Sequence, residues 1–209
     1  MADILVFGDS IAWGAYDSEG GGWVARLKTF LEKERNFNFS VYNLAVSGEE
    51  TSSLLKKFVS ETSSRTQDKT ETIIIFAIGI NDSYFIHSQK SIMTQTQKFG
   101  ENIKKLINLA RKFSSKIIFV GLTPVDESIT MPMPWDTDKS YFIENIKRYD
   151  KILKENCLDE NIHFIEIFDN WTKFDYKKLL EDGAHPNSAG HKILFETVKD
   201  YLISKNIIK

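Results

Sequence analysis

Two segments that lie far apart in the sequence carry the three side chains that nucleophilic acyl transfer requires. Ser10 follows a short apolar run, and Asp182 and His185 lie together in the segment DGAHP at positions 182–186. At this spacing a carboxylate can hold the imidazole Nδ1–H and leave Nε2 free to take a proton from a serine hydroxyl. The residue types therefore predict a catalytic triad, with Ser10 as nucleophile, His185 as general base and Asp182 as the group that orients His185.

The elements that must bring these residues together are an alternation of strands and helices. Short apolar runs rich in β-branched residues predict buried parallel strands, and the amphipathic segments between them predict helices. The predicted strands are residues 4–7, 39–42, 73–78, 117–120 and 163–167, and the predicted helices are residues 23–35, 99–113, 141–158 and 191–207. This α/β pattern predicts a three-layer α/β/α sandwich with a central, mostly parallel five-stranded sheet, in a single domain spanning residues 1–209.

Small and polar residues collect where the predicted strands end. The segments are GDS at 8–10, NLAVSG at 43–48, GIND at 79–82 and GLTP at 121–124. Because the carboxyl ends of parallel strands meet at one edge of an open α/β sheet, these turns should line one ligand crevice. The sequence therefore predicts a functional site at this edge.

Four segments resemble, in order, the sequence blocks of the SGNH-hydrolase family, also called GDSL-like lipases and acylhydrolases. They are GDSI at 8–11, with Ile11 where leucine is commoner, NLAVSG at 43–48, GIND at 79–82 and DGAHP at 182–186. Each block alone is a weak pattern, but four in order across nearly the whole chain are specific. The resemblance implies a flavodoxin-like fold and a serine hydrolase that cleaves carboxylic esters or thioesters through an acyl-enzyme intermediate.

The resemblance also implies an oxyanion hole, the set of donors that binds the developing negative charge. Its members would be the backbone N–H groups of Ser10 and Gly48 and the side-chain amide of Asn81. The residue types agree with this role, because Gly48 lets the backbone approach a ligand closely and Asn81 offers an uncharged N–H donor. The neighbouring Asp9 and Asp82 are interpreted as structural residues that hold the two turns.

Two long loops are expected to shape the substrate pocket. Residues 11–22 include Trp13, and residues 122–138 include Met133, Trp135 and three of the chain's four prolines. Apolar side chains on long loops are typical of substrate walls, so Trp13, Met133 and Trp135 are predicted to bind substrate. The alternative is an apolar flap that covers the sheet or contacts another subunit.

Composition and charge disfavour several other classes of protein. The net charge of −2, from 27 basic and 29 acidic residues, leaves no basic excess for nucleic acid or for stable association with an anionic membrane. The longest apolar stretch, residues 73–80, is far shorter than the roughly 20 residues of a membrane span. With one cysteine, Cys157, and no secretory signal at the N-terminus, we expect a cytoplasmic protein.

The expected partner is a small-molecule ester, and the oligomeric state stays open. No metal-ligand spacing is present, so neither a metal nor a cofactor is expected. Three alternative functions remain at this point. An acyltransferase would use the same site with an alcohol or sugar in place of water. The second alternative is a metal-dependent phosphoesterase, but the Asp-x-His and His-x-His motifs of such enzymes are absent from the sequence. The third is a non-catalytic α/β ligand-binding module, which would not need Ser10, Asp182 and His185 together.

Overall fold

The computed structural model describes residues 2–35, 38–67 and 70–208. Its strands are β1 (Ala2–Gly8), β2 (Phe39–Asn43), β3 (Glu71–Ala77), β4 (Phe85–Ile86), β5 (Ser91–Ile92), β6 (Lys116–Val120), β7 (Lys139–Ser140) and β8 (His163–Ile165). Its α-helices are α1 (Ser10–Trp13), α2 (Trp23–Glu34), α3 (Thr51–Ser63), α4 (Thr96–Ala110), α5 (Glu127–Thr130), α6 (Ile143–Asp159), α7 (Phe168–Trp171) and α8 (Ser188–Ser204). Short 3-10 turns span Asn81–Ser83 and Tyr176–Leu179.

Five parallel strands form the central sheet in the order β2-β1-β3-β6-β8. Every residue of β1 is buried, because helices cover both faces of the sheet. Successive side chains of β1 alternate between the faces, with Leu5 and Phe7 in one core and Ile4 and Val6 in the other. The predicted parallel five-stranded sheet is confirmed, and its last strand ends at Ile165, two residues before the predicted end.

The helices complete the two outer layers of the predicted sandwich. Helices α3, α4 and α6 pack on one face, where Leu54, Ile103 and Leu153 belong to the first core. Helices α2 and α8 pack on the other face and contribute Leu27 and Val198 to the second core. The sheet is therefore covered by helices on both faces, and the loops that connect strands to helices lie at the ends of the strands.

Two parts of the fold were not predicted. Helix α3 is missing from the predicted helices, because it has few apolar residues and buries Thr51 and Thr62 beside Leu54 and Phe58. The small antiparallel sheet β5-β4-β7 is also missing, because strands of two residues are too short to show an alternating pattern. This small sheet matters for the site, since Tyr141 follows β7 directly.

No helix in the described ranges is long and apolar enough to cross a membrane. The helices α6 and α8 have 17 residues each, and both contain several charged side chains.

An aromatic stack in the first core should carry much of the stability. Phe76 is fully buried and packs against Phe7 and Phe119, with ring centroids 5.8 and 4.7 Å apart. Phe76→Ala should lower the free energy of unfolding by about 3–5 kcal/mol, because it leaves a cavity in a close-packed core. Val59→Ala, at an exposed position of α3, should change it by about 0.5 kcal/mol or less. Urea titration measures both values, and equal effects would contradict the prediction.

Candidate active site

Ser10 lies at the carboxyl end of β1, at the first position of α1. Asp9 caps this helix, because one of its carboxylate oxygens accepts a hydrogen bond from the Ile11 backbone N–H at 3.0 Å. Burial raises the pKa of Asp9 to about 7, although the bond from Ile11 and the nearby His185 act in the opposite direction. The turn that presents Ser10 is therefore held by a structural aspartate, in agreement with the interpretation from sequence.

The three residues predicted to form a triad lie in one hydrogen-bonded chain. Ser10 Oγ is 2.8 Å from His185 Nε2, and His185 Nδ1 is 2.7 Å from Asp182 Oδ2. An ionised carboxylate only accepts hydrogen bonds, so Nδ1 carries the ring proton and donates a hydrogen bond to Asp182. Nε2 is then the acceptor for the Ser10 hydroxyl, which is the arrangement that general-base activation requires.

The turn at 182–186 explains how Asp182 reaches the ring of a residue so close in sequence. Gly183 has a φ of +88°, which turns the chain back so that the Asp182 carboxylate reaches Nδ1 of the imidazole. The other carboxylate oxygen accepts hydrogen bonds from the backbone N–H groups of Ala184, at 3.0 Å, and His185, at 2.8 Å. Burial alone would raise the pKa of Asp182, but the bonds from His185 and Ala184 lower it below its ordinary value. Asp182 is therefore ionised at neutral pH.

The residues predicted as further oxyanion donors follow β2 and β3. Gly48 has a φ of +78°, and nothing lies within 4 Å of where its Cβ would be, so its backbone faces open space. Asn81 begins the 3-10 turn after β3, and its Nδ2 donates to the Glu49 carbonyl oxygen at 3.0 Å. This bond joins the loop of Gly48 to the turn of Asn81, so the structure places the two predicted donors side by side.

Asp82 also joins the segment that follows Gly48 to the Asn81 turn. Its carboxylate accepts hydrogen bonds from the Thr51 backbone N–H at 3.0 Å and from the Thr51 hydroxyl at 2.6 Å. The Thr51 hydroxyl in turn accepts a bond from Asn102 Nδ2 at 3.0 Å. Asp82 is fully buried, and burial raises its pKa despite the bonds from Thr51. The interpretation of Asp82 as a structural residue is borne out, and its effect is to fix the start of α3 against the Asn81 turn.

These residues open into a single cavity of about 350 Å³. Its lining includes the predicted residues Ser10, Gly48, Asn81, Trp135 and His185, and also Ala15, Tyr16, Ser47 and Tyr141. Among the residues that the structure describes, no group of three or more His, Cys, Asp or Glu side chains could hold a metal ion.

The three residues predicted to bind substrate have different positions. Trp135 is 47% exposed and its ring centroid lies 5.5 Å from that of His185, so it forms a wall of the cavity. Trp13 is 58% exposed but does not line the cavity. Met133 is 2% exposed and belongs to the first core, because its backbone pairs with Asp136 and turns the side chain inward. Met133 is therefore a packing residue and not part of the wall.

Tyr16 takes the place that was predicted for Trp13. Its ring centroid lies 5.3 Å from that of His185, on a backbone with a φ of 65°. The aromatic content of the 11–22 loop signalled a wall, but the sequence could not indicate which ring points inward. No feature of the sequence indicated that Tyr141 lines the cavity. Its position at the start of the predicted helix 141–158 suggested only a packing role.

Buried His191 fixes the loop that carries Tyr16. His191 Nδ1 accepts the Trp23 backbone N–H at 3.3 Å, and its Nε2–H donates to the Ala15 carbonyl oxygen at 2.8 Å. Burial lowers the pKa of His191, which favours the neutral ring that can accept at one nitrogen and donate at the other. His191 therefore holds the start of α2 and the Ala15 backbone together, and it indirectly places Tyr16 beside His185.

Asp17 fixes the other side of the same loop. It accepts hydrogen bonds from the backbone N–H groups of Gly20 and Gly22, both at 2.9 Å, and from Arg26 Nε at 2.8 Å. Burial alone would raise the pKa of Asp17, but Arg26 and the backbone donors outweigh it and hold the pKa well below its usual range.

A family model described as GDSL-like Lipase/Acylhydrolase matches residues 4–198 of this chain. The matched region contains all four sequence blocks and every residue of the hydrogen-bonded chain from Ser10 to Asp182. The chain therefore belongs to the GDSL-like lipase/acylhydrolase family and is an enzyme of the ester-hydrolase class. The family and the enzyme class predicted from sequence are confirmed.

Solved structures share the fold over nearly their whole length. The lipase/acylhydrolase from Enterococcus faecalis has a TM-score of 0.75 and 22% identity, covering 98% of this chain and 97% of that chain. The acetyl xylan esterase AlAXEase has a TM-score of 0.75 and 18% identity, covering 96% and 99%. Axe2, an acetylxylan esterase from Geobacillus stearothermophilus, has a TM-score of 0.69 and 19% identity, covering 94% and 92%. A comparison with curated proteins gave no significant match.

The lowered pKa of Asp17 predicts a pH-dependent contribution to stability. In the unfolded chain an aspartate titrates near 3.9, so the contribution is complete above that pH and is lost as the pH falls through the lower folded value. Asp17→Asn should lower the free energy of unfolding by about 1.5–3 kcal/mol at pH 7, and the difference from wild type should shrink below about pH 4.

Urea titrations at pH 7 and in acid measure this difference. Asp175→Asn is the control, because Asp175 pairs with Lys178 at an exposed position, where an ion pair contributes about 0–1 kcal/mol. A difference between wild type and Asp17→Asn that stays constant down to the acid limit of folding would contradict the prediction.

Proposed function

We propose that this chain hydrolyses carboxylic esters or thioesters through an acyl-enzyme intermediate on Ser10. The observation that carries the proposal is the hydrogen-bonded chain Ser10–His185–Asp182, which reaches an open cavity with its serine hydroxyl. Membership of the family supports the same chemistry. In this proposal Ser10 is the nucleophile, His185 the general base and then general acid, and Asp182 the group that orients His185.

The reaction proceeds in two matched halves. Ser10 Oγ bonds to the acyl carbon while its proton passes to His185 Nε2. When the bond to the alcohol or thiol breaks, that group leaves with the proton from His185. Water then attacks the acyl carbon and gives a proton to His185. The bond to Ser10 breaks as His185 returns that proton to Ser10 Oγ, and the acid is released. Asp182 stabilises the positively charged imidazole in both halves.

Negative charge develops on the carbonyl oxygen in each half, and three donors are available for it. They are the backbone N–H groups of Ser10 and Gly48 and one Nδ2 hydrogen of Asn81. Glu49 accepts the other Nδ2 hydrogen, so Asn81 keeps one for the oxyanion. Loss of one donor of this kind costs about 2.7–4 kcal/mol of transition-state stabilisation in other enzymes.

Small or short-chain acyl groups fit the cavity best. Its volume of about 350 Å³ lies near the lower end of the range of ligand pockets, and Tyr16 and Trp135 stand at its sides. The similar proteins AlAXEase and Axe2 are acetyl xylan esterases, which supports a small acyl group. An acyltransferase would use the same residues with an alcohol in place of water, and adding ethanol to the assay distinguishes the two through the ethyl ester that a transferase would form.

Substitution of the nucleophile or the base should abolish turnover. Ser10→Ala and His185→Ala should each lower kcat for p-nitrophenyl acetate by about 10⁴-fold or more, because neither half of the reaction proceeds without them. Ser204→Ala, which removes an exposed hydroxyl that donates to the Tyr201 carbonyl oxygen, should keep full activity. Substantial turnover in either active-site variant would contradict the proposal.

The same assay separates the alternative functions. Hydrolysis that survives EDTA excludes a metal-dependent phosphoesterase, and labelling by a fluorophosphonate that is lost in Ser10→Ala excludes a non-catalytic binding module. Folding of each variant is checked by its thermal unfolding midpoint. A folded wild-type protein that neither hydrolyses the ester nor reacts with the fluorophosphonate would overturn the proposal.

The Trp135 wall should restrict the length of the acyl chain. Trp135→Ala removes the ring beside His185, so kcat/KM for p-nitrophenyl octanoate relative to acetate should rise by at least about tenfold. Phe174→Ala is the matched control, because Phe174 is also 47% exposed but lies outside the cavity lining. An unchanged ratio in Trp135→Ala would show that the ring does not limit the acyl site.

A further inference from the structure

Tyr141 is buried at the back of the cavity and is held rigidly by its surroundings. It follows β7, where its backbone N–H donates to the Thr130 carbonyl oxygen at 3.1 Å. Its side chain is 5% exposed, and its ring meets the ring of Tyr84 edge to face, with centroids 6.1 Å apart. The Tyr141 hydroxyl can therefore contact only the groups immediately next to it.

The group that contacts the Tyr141 hydroxyl is the side-chain amide of Asn81. Tyr141 Oη donates to Asn81 Oδ1 at 2.7 Å, and Asn81 Nδ2 donates to the Glu49 carbonyl oxygen at 3.0 Å. The first bond identifies Oδ1 as the acceptor side of the amide, and the second identifies Nδ2 as the donor side. One Nδ2 hydrogen remains, and Asn81 lines the cavity together with Ser10 and Gly48.

The Tyr141 hydroxyl is a donor over the whole working pH range. Burial, followed by the negative charges of Asp9 and other nearby carboxylates, keeps the pKa of Tyr141 well above its ordinary value. A neutral phenol has one hydrogen, and Asn81 Oδ1 is its acceptor.

We propose that Tyr141 is a positioning residue for ester hydrolysis, acting through Asn81; the inference rests on the function proposed above. Its hydrogen bond holds the amide with Nδ2 towards the oxyanion position. A hydrogen bond to a carbonyl oxygen also polarises the amide, so the remaining N–H becomes a stronger donor. Without Tyr141 Oη, Asn81 Oδ1 is a buried acceptor that has lost this donor. If the amide then rotates so that Oδ1 faces the cavity, the oxygen lies next to the developing negative charge and repels it.

The test compares kcat and KM for p-nitrophenyl acetate in wild type and Tyr141→Phe. The substitution removes one oxygen and keeps the ring that packs on Tyr84. We expect kcat to fall about ten- to hundredfold with KM within about twofold, which is less than the roughly 10²–10³-fold loss for removal of a whole donor in Asn81→Ala. A wild-type kcat in Tyr141→Phe would overturn the inference.

A double-mutant cycle distinguishes action through Asn81 from a general loss of structure. In the Asn81→Ala background, Tyr141→Phe should cause no further fall in kcat, because the amide that it positions is gone. A fall of the same size in both backgrounds would overturn the inference, since Tyr141 would then act independently of Asn81.

Tyr149→Phe is the matched control. Tyr149 is another fully buried tyrosine, and its hydroxyl donates to the Thr94 carbonyl oxygen, outside the cavity lining. It should lower the thermal unfolding midpoint about as much as Tyr141→Phe and leave kcat unchanged. If wild type and Tyr149→Phe both hydrolyse the ester and Tyr141→Phe does so equally well, the inference fails and the proposed function stands. If no protein hydrolyses it, the proposed function fails and the inference with it.

A second measurement on the wild-type protein does not depend on Tyr141→Phe, in case that variant does not fold. Nuclear magnetic relaxation of the Asn81 side-chain NH₂ group reports how rigidly the amide is held, and its signal is assigned by its absence from Asn81→Ala. An order parameter near that of rigid backbone, about 0.85, is expected, and a value below about 0.6 would overturn the inference.

Discussion

The site depends on the close approach of β1 and β3 at their carboxyl ends. Gly8 pairs with Ala77 in parallel register, and a Cβ on Gly8 would lie only 2.5 Å from the Ala77 carbonyl oxygen. Any side chain at position 8 would separate the strand ends, and with them the turns that carry Ser10 and Asn81. The spacing of Ser10 and the Asn81 amide is therefore set by backbone contact inside the sheet.

Carboxylates that are buried or partly buried order the loops at the carboxyl end of the sheet. Asp9 caps α1, Asp82 ties the start of α3 to the Asn81 turn, and Asp182 folds onto its own turn. A carboxylate can accept several hydrogen bonds at once, and bonds to an ionised group are stronger than those between neutral groups. Hydrogen bonds to aspartate therefore add to the apolar contacts that hold these loops in place.

The site combines a rigid floor with open aromatic sides. Ser10, His185 and Asn81 stand on strand ends and turns that buried hydrogen bonds hold in place, whereas Tyr16 and Trp135 are half-exposed on the loops beside them. A rigid floor suits chemistry that needs fixed donors, because no reorganisation is required when charge develops. The two exposed rings stand beside the cavity and leave it open to solvent.

Much of the fold and of the site could be predicted from the sequence, because the signals are local. Buried parallel strands appear as continuous apolar runs, and Ser10, Asp182 and His185 lie in short segments whose spacing already indicates their chemistry. Only the tertiary structure decided which loop side chains face the cavity: Tyr16 in place of Trp13, and Met133 in the core. The hydrogen bond from Tyr141 to Asn81 joins residues 60 positions apart, and no local pattern encodes it, because it exists only once β7 is paired and the Asn81 turn is in place.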